Sequence, residues 1–274
     1  MPNQDQKDYW NASAGEKWAA EQAHLDAMLA PVTALLMDAV APRASERLLD
    51  IGCGTGETSL LAADVGAQVT GVDISQPMLD LAASRLADRG DMQLADAATW
   101  QADAAFDVIM SRFGVMFFDD PQAAFTNIGT NLKPGGRLAF ACWQAPKNNS
   151  WVLTPMMAIK PFLPEAPAPD PHAPGPFAFA DPERLHGILA GAGFADISIA
   201  AHDVPITLAL EGGVEQAVQF STQIGPAARA MAEVDANTKV AMHAALTDAL
   251  QPHEKDGQVV LGGGIFIVTA VREG

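Results

Sequence analysis

Leu48 to Gly56 reads LLDIGCGTG, an apolar run that reaches an acid and then enters a turn with glycine at 52, 54 and 56. A short apolar run closed by glycines reads as a strand, and the ETSLLAADV that follows reads as a helix. Strand, tight turn and helix in that order leave backbone N–H groups and the positive helix end facing whatever lies above the sheet. A ligand with carboxylate or phosphate oxygens suits such a place. AQVTGVD then reads as a second strand, which completes one βαβ unit.

The alternation continues with a helix at 76–87, a short strand at 91–95, the strand FDVIM at 106–110, a helix near 121–131, a KPGG turn and the strand RLAFACW. Five strands alternating with helices predict a parallel sheet covered on both faces. Two helices are predicted ahead of it. The first, over 16–29, puts Trp18, Leu25, Met28 and Leu29 on one face, and the second starts at Pro31 and carries Val32, Leu35, Leu36, Ala39 and Val40. After Trp143 the texture shifts, and nine of the 19 prolines fall between Pro155 and Pro182. Trp151, Phe162, Phe177 and Phe179 accompany them, and a plain spacer needs no apolar anchors, so a loop or cap over a site is expected. The helix PERLHGILAGAG, the strand ADISIAAHDVPITL, a helical insertion and the last strand GIFIVTAVRE complete the chain. The expected divisions are an N-terminal helical lid at 1–45, a core at 46–143, a Pro-rich cap segment at 144–180, a core helix and strand at 181–210, a helical insertion of the cap at 211–256 and a final core strand at 257–274.

Asp73 closes the second strand 21 residues after Gly52. A carboxylate there can accept hydrogen bonds from both ribose hydroxyls of an adenosine-containing ligand. The glycine spacing decides between adenosine ligands. A dinucleotide fingerprint starting at Gly52 needs its third glycine at 57, where this chain has Glu57. A carboxylate at the helix entrance serves a pyrophosphate poorly, whereas a ligand with a positive centre and one carboxylate fits. S-adenosylmethionine is such a ligand.

With these residues the chain resembles the class I S-adenosylmethionine-dependent methyltransferases, in the broad small-molecule group that includes ubiquinone and menaquinone methyltransferases. The resemblance runs over about residues 46 to 143, and YWNASAGEKW, FGVMFFDDP and GPFAFADPERL look like a bacterial subgroup. It implies an α/β, Rossmann-like, seven-stranded mixed sheet with helices on both faces and an antiparallel last strand beside the fifth, plus the helical and Pro-rich cap. It also implies that Gly52, Cys53, Gly54 and Gly56 wrap the methionine part of the cofactor, with Asp50 bracing the turn. Asp73 would take the ribose and Ile74 would lie along the adenine. Asp96 would receive the adenine amino group, and Ala97 would offer its backbone N–H to the ring. Ser111, Arg112 and Phe113 would form the floor where methyl group and acceptor meet, Ser111 towards the cofactor and Arg112 and Phe113 towards the substrate. The near-terminal aromatics Tyr9, Trp10 and Trp18 either pack a helix or fold as a lid over the sulfonium, since electron-rich ring faces attract a cation. Met78, Met110 and Met116 read as core filling.

The chain carries 16 Lys and Arg against 33 Asp and Glu, a net charge of −17. That balance works against a nucleic-acid partner, because such affinity rests on neutralised phosphates. Cys53 and Cys142 form no CxxC pair, so neither a disulfide framework nor a zinc site is expected, and no base in the local sequence activates Cys53. No signal peptide or run of 18 apolar residues is seen, and a cytoplasmic place is the default. His24, His172, His186, His202, His243 and His253 offer no spaced pair, and no catalytic residue is singled out. SRFG after the fourth strand replaces the Pro-Pro-aromatic element of nucleic-acid and protein-glutamine enzymes. The resemblance therefore points to a small-molecule acceptor, methylated in line without a metal. Its alternatives are a non-catalytic sensor of the same cofactor and a non-methylating enzyme that uses it.

Overall fold

The computed structural model describes residues 3–165, 170–232 and 234–273; Pro167 and Pro169 of the Pro-rich segment lie outside them. Three helices lead the chain: α1 (Gln4–Asn11), α2 (Ser13–Ala20) and α3 (Gln22–Val40). The expected boundaries here are corrected in two ways. Trp18 belongs to α2, which ends before the helix bearing Leu25, and Pro31 starts no new helix but sits inside α3. A proline removes one helical donor and takes it from the carbonyl four residues back. That residue is Ala27, which is exposed, while Leu25, Met28, Leu29, Val32, Leu36 and Val40 are buried on both sides of the proline. One continuous apolar face thus outweighs one lost bond. By length and composition α3 could cross a membrane; here that face packs into the core.

The sheet is built from β1 (Arg47–Ile51), β2 (Gln68–Asp73), β3 (Gly90–Leu94), β4 (Phe106–Arg112), β5 (Leu132–Trp143), β6 (Phe194–Ala209), the short β7 (Glu254–Lys255) and β8 (Gln258–Arg272). The main order is β3-β2-β1-β4-β5-β8-β6, seven strands, with β7 hairpinned onto β8. β8 runs antiparallel between β5 and β6, and β1 to β5 are mutually parallel. This is the expected Rossmann-like mixed sheet. Leu48 to Ile51 and Val108 to Ser111 are buried without interruption, as strands covered on both faces must be. The KPGG sequence lies within β5 as an irregularity: Phe106 pairs with Leu132, but Val108 already pairs with Arg137.

Helices α4 (Glu57–Asp64), α5 (Gln76–Leu86), α6 (Pro121–Thr130) and α8 (Pro182–Gly191) accompany these strands; α7 (Ser150–Ile159) follows β5, and α9 (Gly213–Gln223), α10 (Pro226–Met231) and α11 (Ala236–Leu250) follow β6. Asp120 and Asp181 cap α6 and α8 by accepting backbone N–H bonds, each ahead of a proline in the first turn. From β1 the chain steps outwards to β2 and β3, then returns to place β4 on the other side of β1. That reversal opens a crevice at the strand ends, and ligands of α/β sheets sit at such points.

Candidate active site

The crevice is a cavity of about 400 Å³. One end is made by the turns after β1, β2 and β3. Gly52, Gly54 and Gly56 have φ of 64°, 54° and 85°, a left-handed path that glycine alone takes without strain. At Gly52 proximity adds a second demand, because a Cβ would stand 2.7 Å from the Gly114 Cα in the turn after β4. At Gly54 the nearest atom to such a Cβ is the Met78 Sδ at 4.0 Å, so this glycine leaves open space beside the turn.

Asp50, under the turn, is fully buried and accepts from the Thr58 and Ser59 hydroxyls at 2.7 Å each, with its other oxygen unpartnered. Burial pushes its carboxyl up to about 6, against the pull of those two hydroxyls and of Arg112. Asp73 is held on both oxygens. Oδ2 accepts the Gly54 N–H and Oδ1 the Ser75 N–H, each at 2.8 Å. Burial raises its carboxyl, and these backbone donors oppose the rise. A carboxylate has about four lone-pair sites, so each Asp73 oxygen retains acceptor capacity. Asp96 accepts the Ala98 N–H at 3.1 Å on Oδ1, while its buried Oδ2 accepts no hydrogen bond and has the Lys7 ammonium at 3.3 Å. Burial and the neighbouring carboxylates of Asp73 and Asp50 push the Cys53 thiol well above its ordinary value, so it stays protonated.

Of the residues singled out from the sequence, Tyr9, Trp18, Gly52, Cys53, Gly54, Asp73, Ile74, Asp96, Ala97, Arg112 and Phe113 line this one cavity. Ser111 does not. Its hydroxyl is buried, donates to the Ile51 carbonyl at 2.7 Å and accepts the Gly114 N–H at 3.1 Å, which ties β4 to the glycine turn beside it. Met78 and Met116 line the cavity as well as being buried, whereas Met110 is core alone. Among the described residues no histidine lines it. The cap aromatics separate: Trp151 and Phe177 face the cavity, Phe162 is exposed, and Phe179 is buried against Phe125 and Phe140.

The other end of the cavity is apolar and aromatic. Phe113, at a left-handed φ of 69°, stacks on Trp143 with centroids 4.3 Å apart and planes 7° apart, and Trp151 adjoins Trp143 at 4.9 Å. Arg112 reaches this end but is engaged by Glu57 and by the Thr33 hydroxyl. Burial raises the Glu57 carboxyl, and Arg112 opposes that rise.

Sequence reasoning missed the way the leading helices are fastened. Asn11 donates to the Ile74 carbonyl at 2.7 Å and accepts the Gln76 N–H at 2.9 Å, and Ser75 Oγ donates to the Trp10 carbonyl at 2.8 Å. Gly15 packs so closely that a Cβ would overlap that same carbonyl. The turn after Asp73 is thus clamped from outside. Asp26 of α3, which also lines the cavity, pairs with Arg85 at 2.7 Å, and Arg85 donates to the Thr55 carbonyl at 2.8 Å. Only the run NASAG hinted at a close helix contact.

Residues 49–140 match the methyltransferase domain family. Nocamycin O-methyltransferase of Saccharothrix syringae is 30% identical over 192 residues, covering 64% of this chain and 69% of that protein. The chain belongs to the class I S-adenosylmethionine-dependent methyltransferases. Demethylmenaquinone methyltransferase of Clavibacter sepedonicus is 33% identical to this methyltransferase over 171 residues, 58% of this chain and 69% of that one. Its fold is shared with the YcgJ protein from Bacillus subtilis, at a TM-score of 0.59 and 17% identity over 88% of this chain and 98% of that one. It is shared also with Haemonchus contortus phosphoethanolamine N-methyltransferase 2 in complex with S-adenosyl-L-methionine, at 0.54 and 19% over 89% and 53%. As a member of that family the methyltransferase uses S-adenosylmethionine as its cofactor.

Proposed function

We propose that this methyltransferase acts on a small-molecule acceptor, by in-line transfer without a metal, with the glycine-turn end of the cavity holding the cofactor and the aromatic end the acceptor. The observation that carries the reading is the continuity of the two ends in one cavity, walled by both the strand-end turns and the cap. The relatives named for nocamycin and demethylmenaquinone are consistent with a small acceptor.

The residues present fit the cofactor. The buried Asp96 Oδ2, which accepts no hydrogen bond and has only the Lys7 ammonium beside it, suits an amino donor such as that of adenine, and the free acceptor sites of Asp73 suit two ribose hydroxyls. Ile74 and Ala97 would bound the adenine, and the open side of Gly54, with Gly52 and Cys53, would receive the methionine part. When bound, the cofactor supplies a methyl group already activated on sulfonium. The protein's task is then alignment and exclusion of water. Tyr9, Trp10 and Trp18, clamped by Asn11, close one side, and Phe113 with the cap aromatics closes the other. Ser111 acts one step back, by fixing Gly114 against Gly52.

The test incubates protein and cofactor with phenols, quinols, thiols and carboxylic acids and follows S-adenosylhomocysteine and methylated acceptor by mass spectrometry. A methylated acceptor, formed equally with EDTA present, is expected. Asp73→Asn should weaken S-adenosylhomocysteine binding about 10- to 100-fold, as hydrogen bonds to a charged group contribute about 1.5–3 kcal/mol. Tight cofactor binding with no product across the panel would sink the reading in favour of a sensor.

A further inference from the structure

The aromatic end of the cavity has two features that general apolar packing does not require. The first is the stacked pair of Phe113 and Trp143. The rings lie face to face, 4.3 Å apart and 7° from parallel, with the phenylalanine on a left-handed backbone, and of the two Phe113 is the less buried, which leaves its outer face to take one further ring beside the tilted Trp151. A non-glycine residue in that region is strained and persists where the surroundings impose it, typically at functional sites. The second is Arg229 of α10, an exposed side chain at the rim of the same cavity, whose guanidinium lies over the Tyr9 ring at 5.5 Å from its centroid.

The charges around the cavity are otherwise matched. Asp26 has Arg85, Asp96 has Lys7, Arg112 has Glu57, and Asp73 has its backbone donors. Among the described residues Arg229 alone of the cavity's charged side chains has neither an ion-pair partner nor a hydrogen bond to the protein, in a chain with twice as many acids as bases. The cation–π contact with Tyr9 uses none of the guanidinium N–H donors, which remain for a ligand. Gly225, just ahead of α10, stands against Trp151, where an added Cβ would be 3.6 Å from its ring, so the helix bearing Arg229 adjoins the aromatic end, while the cofactor end has its own polar partners.

We propose that the acceptor is a planar aromatic compound carrying an anionic group, its ring extending the Phe113–Trp143 stack and its anion at Arg229. Arg229 is then a specificity-determining residue. A carboxylate and a phosphate monoester share the required chemistry, since either can take two parallel N–H bonds from a guanidinium. The inference rests on the assignment of the aromatic end to the acceptor.

Calorimetric titration of the protein saturated with S-adenosylhomocysteine tests it, with 2-naphthoate, 2-naphthyl phosphate and the neutral 2-naphthamide as probes. One or both anions should bind at least tenfold more tightly than the amide, and the better of the two identifies the anion. In Arg229→Gln the preference should vanish while S-adenosylhomocysteine affinity and thermal midpoint stay unchanged. Phe113→Leu should weaken all three probes together. Equal affinity for all three, or no binding of any, overturns the proposal. A fall in S-adenosylhomocysteine affinity in Arg229→Gln overturns it too, by giving that residue to the cofactor. Failure of wild-type protein to bind S-adenosylhomocysteine would instead strike the assignment of the two ends.

Discussion

Asp50 gives the sharpest test of how the glycine turn is held. Its carboxyl ordinarily titrates at 3.8 and is raised to about 6 by complete burial. The native state therefore binds a proton more tightly than the unfolded chain, and stability falls as pH rises between those two values. Below both, the group is protonated in either state and the burial penalty is absent; above both, the full penalty is present. At about 1.4 kcal/mol per pH unit, the total is about 3 kcal/mol, of which about 2.5 develops above pH 4. Asp50→Asn removes the titration and leaves an oxygen for the Thr58 and Ser59 hydroxyls. The stability of the variant relative to wild type, from urea unfolding at a series of pH values, should rise by about 2 to 3 kcal/mol between pH 4 and 7.5. Taking the difference cancels the carboxylates common to both proteins, including Glu46 and Asp107, whose Arg137 and Lys133 partners hold them low and whose contributions run the opposite way. Ser59→Ala should shift the wild-type inflection upwards, because that hydroxyl stabilises the charged form. A relative stability that stays flat within about 0.5 kcal/mol from pH 4 to 7.5 would refute the account of Asp50 as a buried, under-compensated charge.

Two substitutions probe the clamps on the cofactor end. Asn11→Ala loses both bonds to the turn after Asp73, and at about 0.5–1.5 kcal/mol each S-adenosylhomocysteine affinity should fall about tenfold in calorimetry, with a small change in thermal midpoint. Gly52→Ala places a Cβ 2.7 Å from the Gly114 Cα on a backbone with φ of 64°, and both cofactor binding and the thermal midpoint should drop; unchanged binding would mean that the turn yields.

What was legible in the sequence depended on how local its cause is. LLDIGCGTG and Asp73 could be read because strand, glycine turn and closing acid lie within one βαβ unit, and the resemblance extended that reading to Asp96. Pro31 misled because the rule for prolines is local, whereas the continuity of α3 comes from an apolar face packed on the sheet. The family resemblance places Ser111 on the cavity floor. Its hydroxyl is drawn instead to Ile51 and Gly114, contacts that only the pairing of β1 with β4 creates. Arg229 carried no sequence signal and Asn11 no more than its place in the run NASAG, since their partners stand 220 and 63 residues away.

The same distinction divides the cavity. Its glycine-turn end is assembled from residues 51 to 97, with the leading helices fastened to the turn after Asp73, whereas the aromatic end draws on the turn after β4, the end of β5, α7, the Pro-rich segment and α10. The first set is fixed by strand ends, whose positions the sheet determines. The second consists largely of helices and loops outside the sheet, which can change without disturbing strand pairing. Phe113 joins the two, one residue past β4 and stacked on Trp143 at the end of β5. Its strained backbone is thus fixed by the sheet while its ring belongs to the outer wall. If, as proposed, the glycine-turn end holds the methyl donor and the aromatic end the acceptor, the two meet at that residue, and substitutions at Phe113 should change acceptor choice more than cofactor affinity.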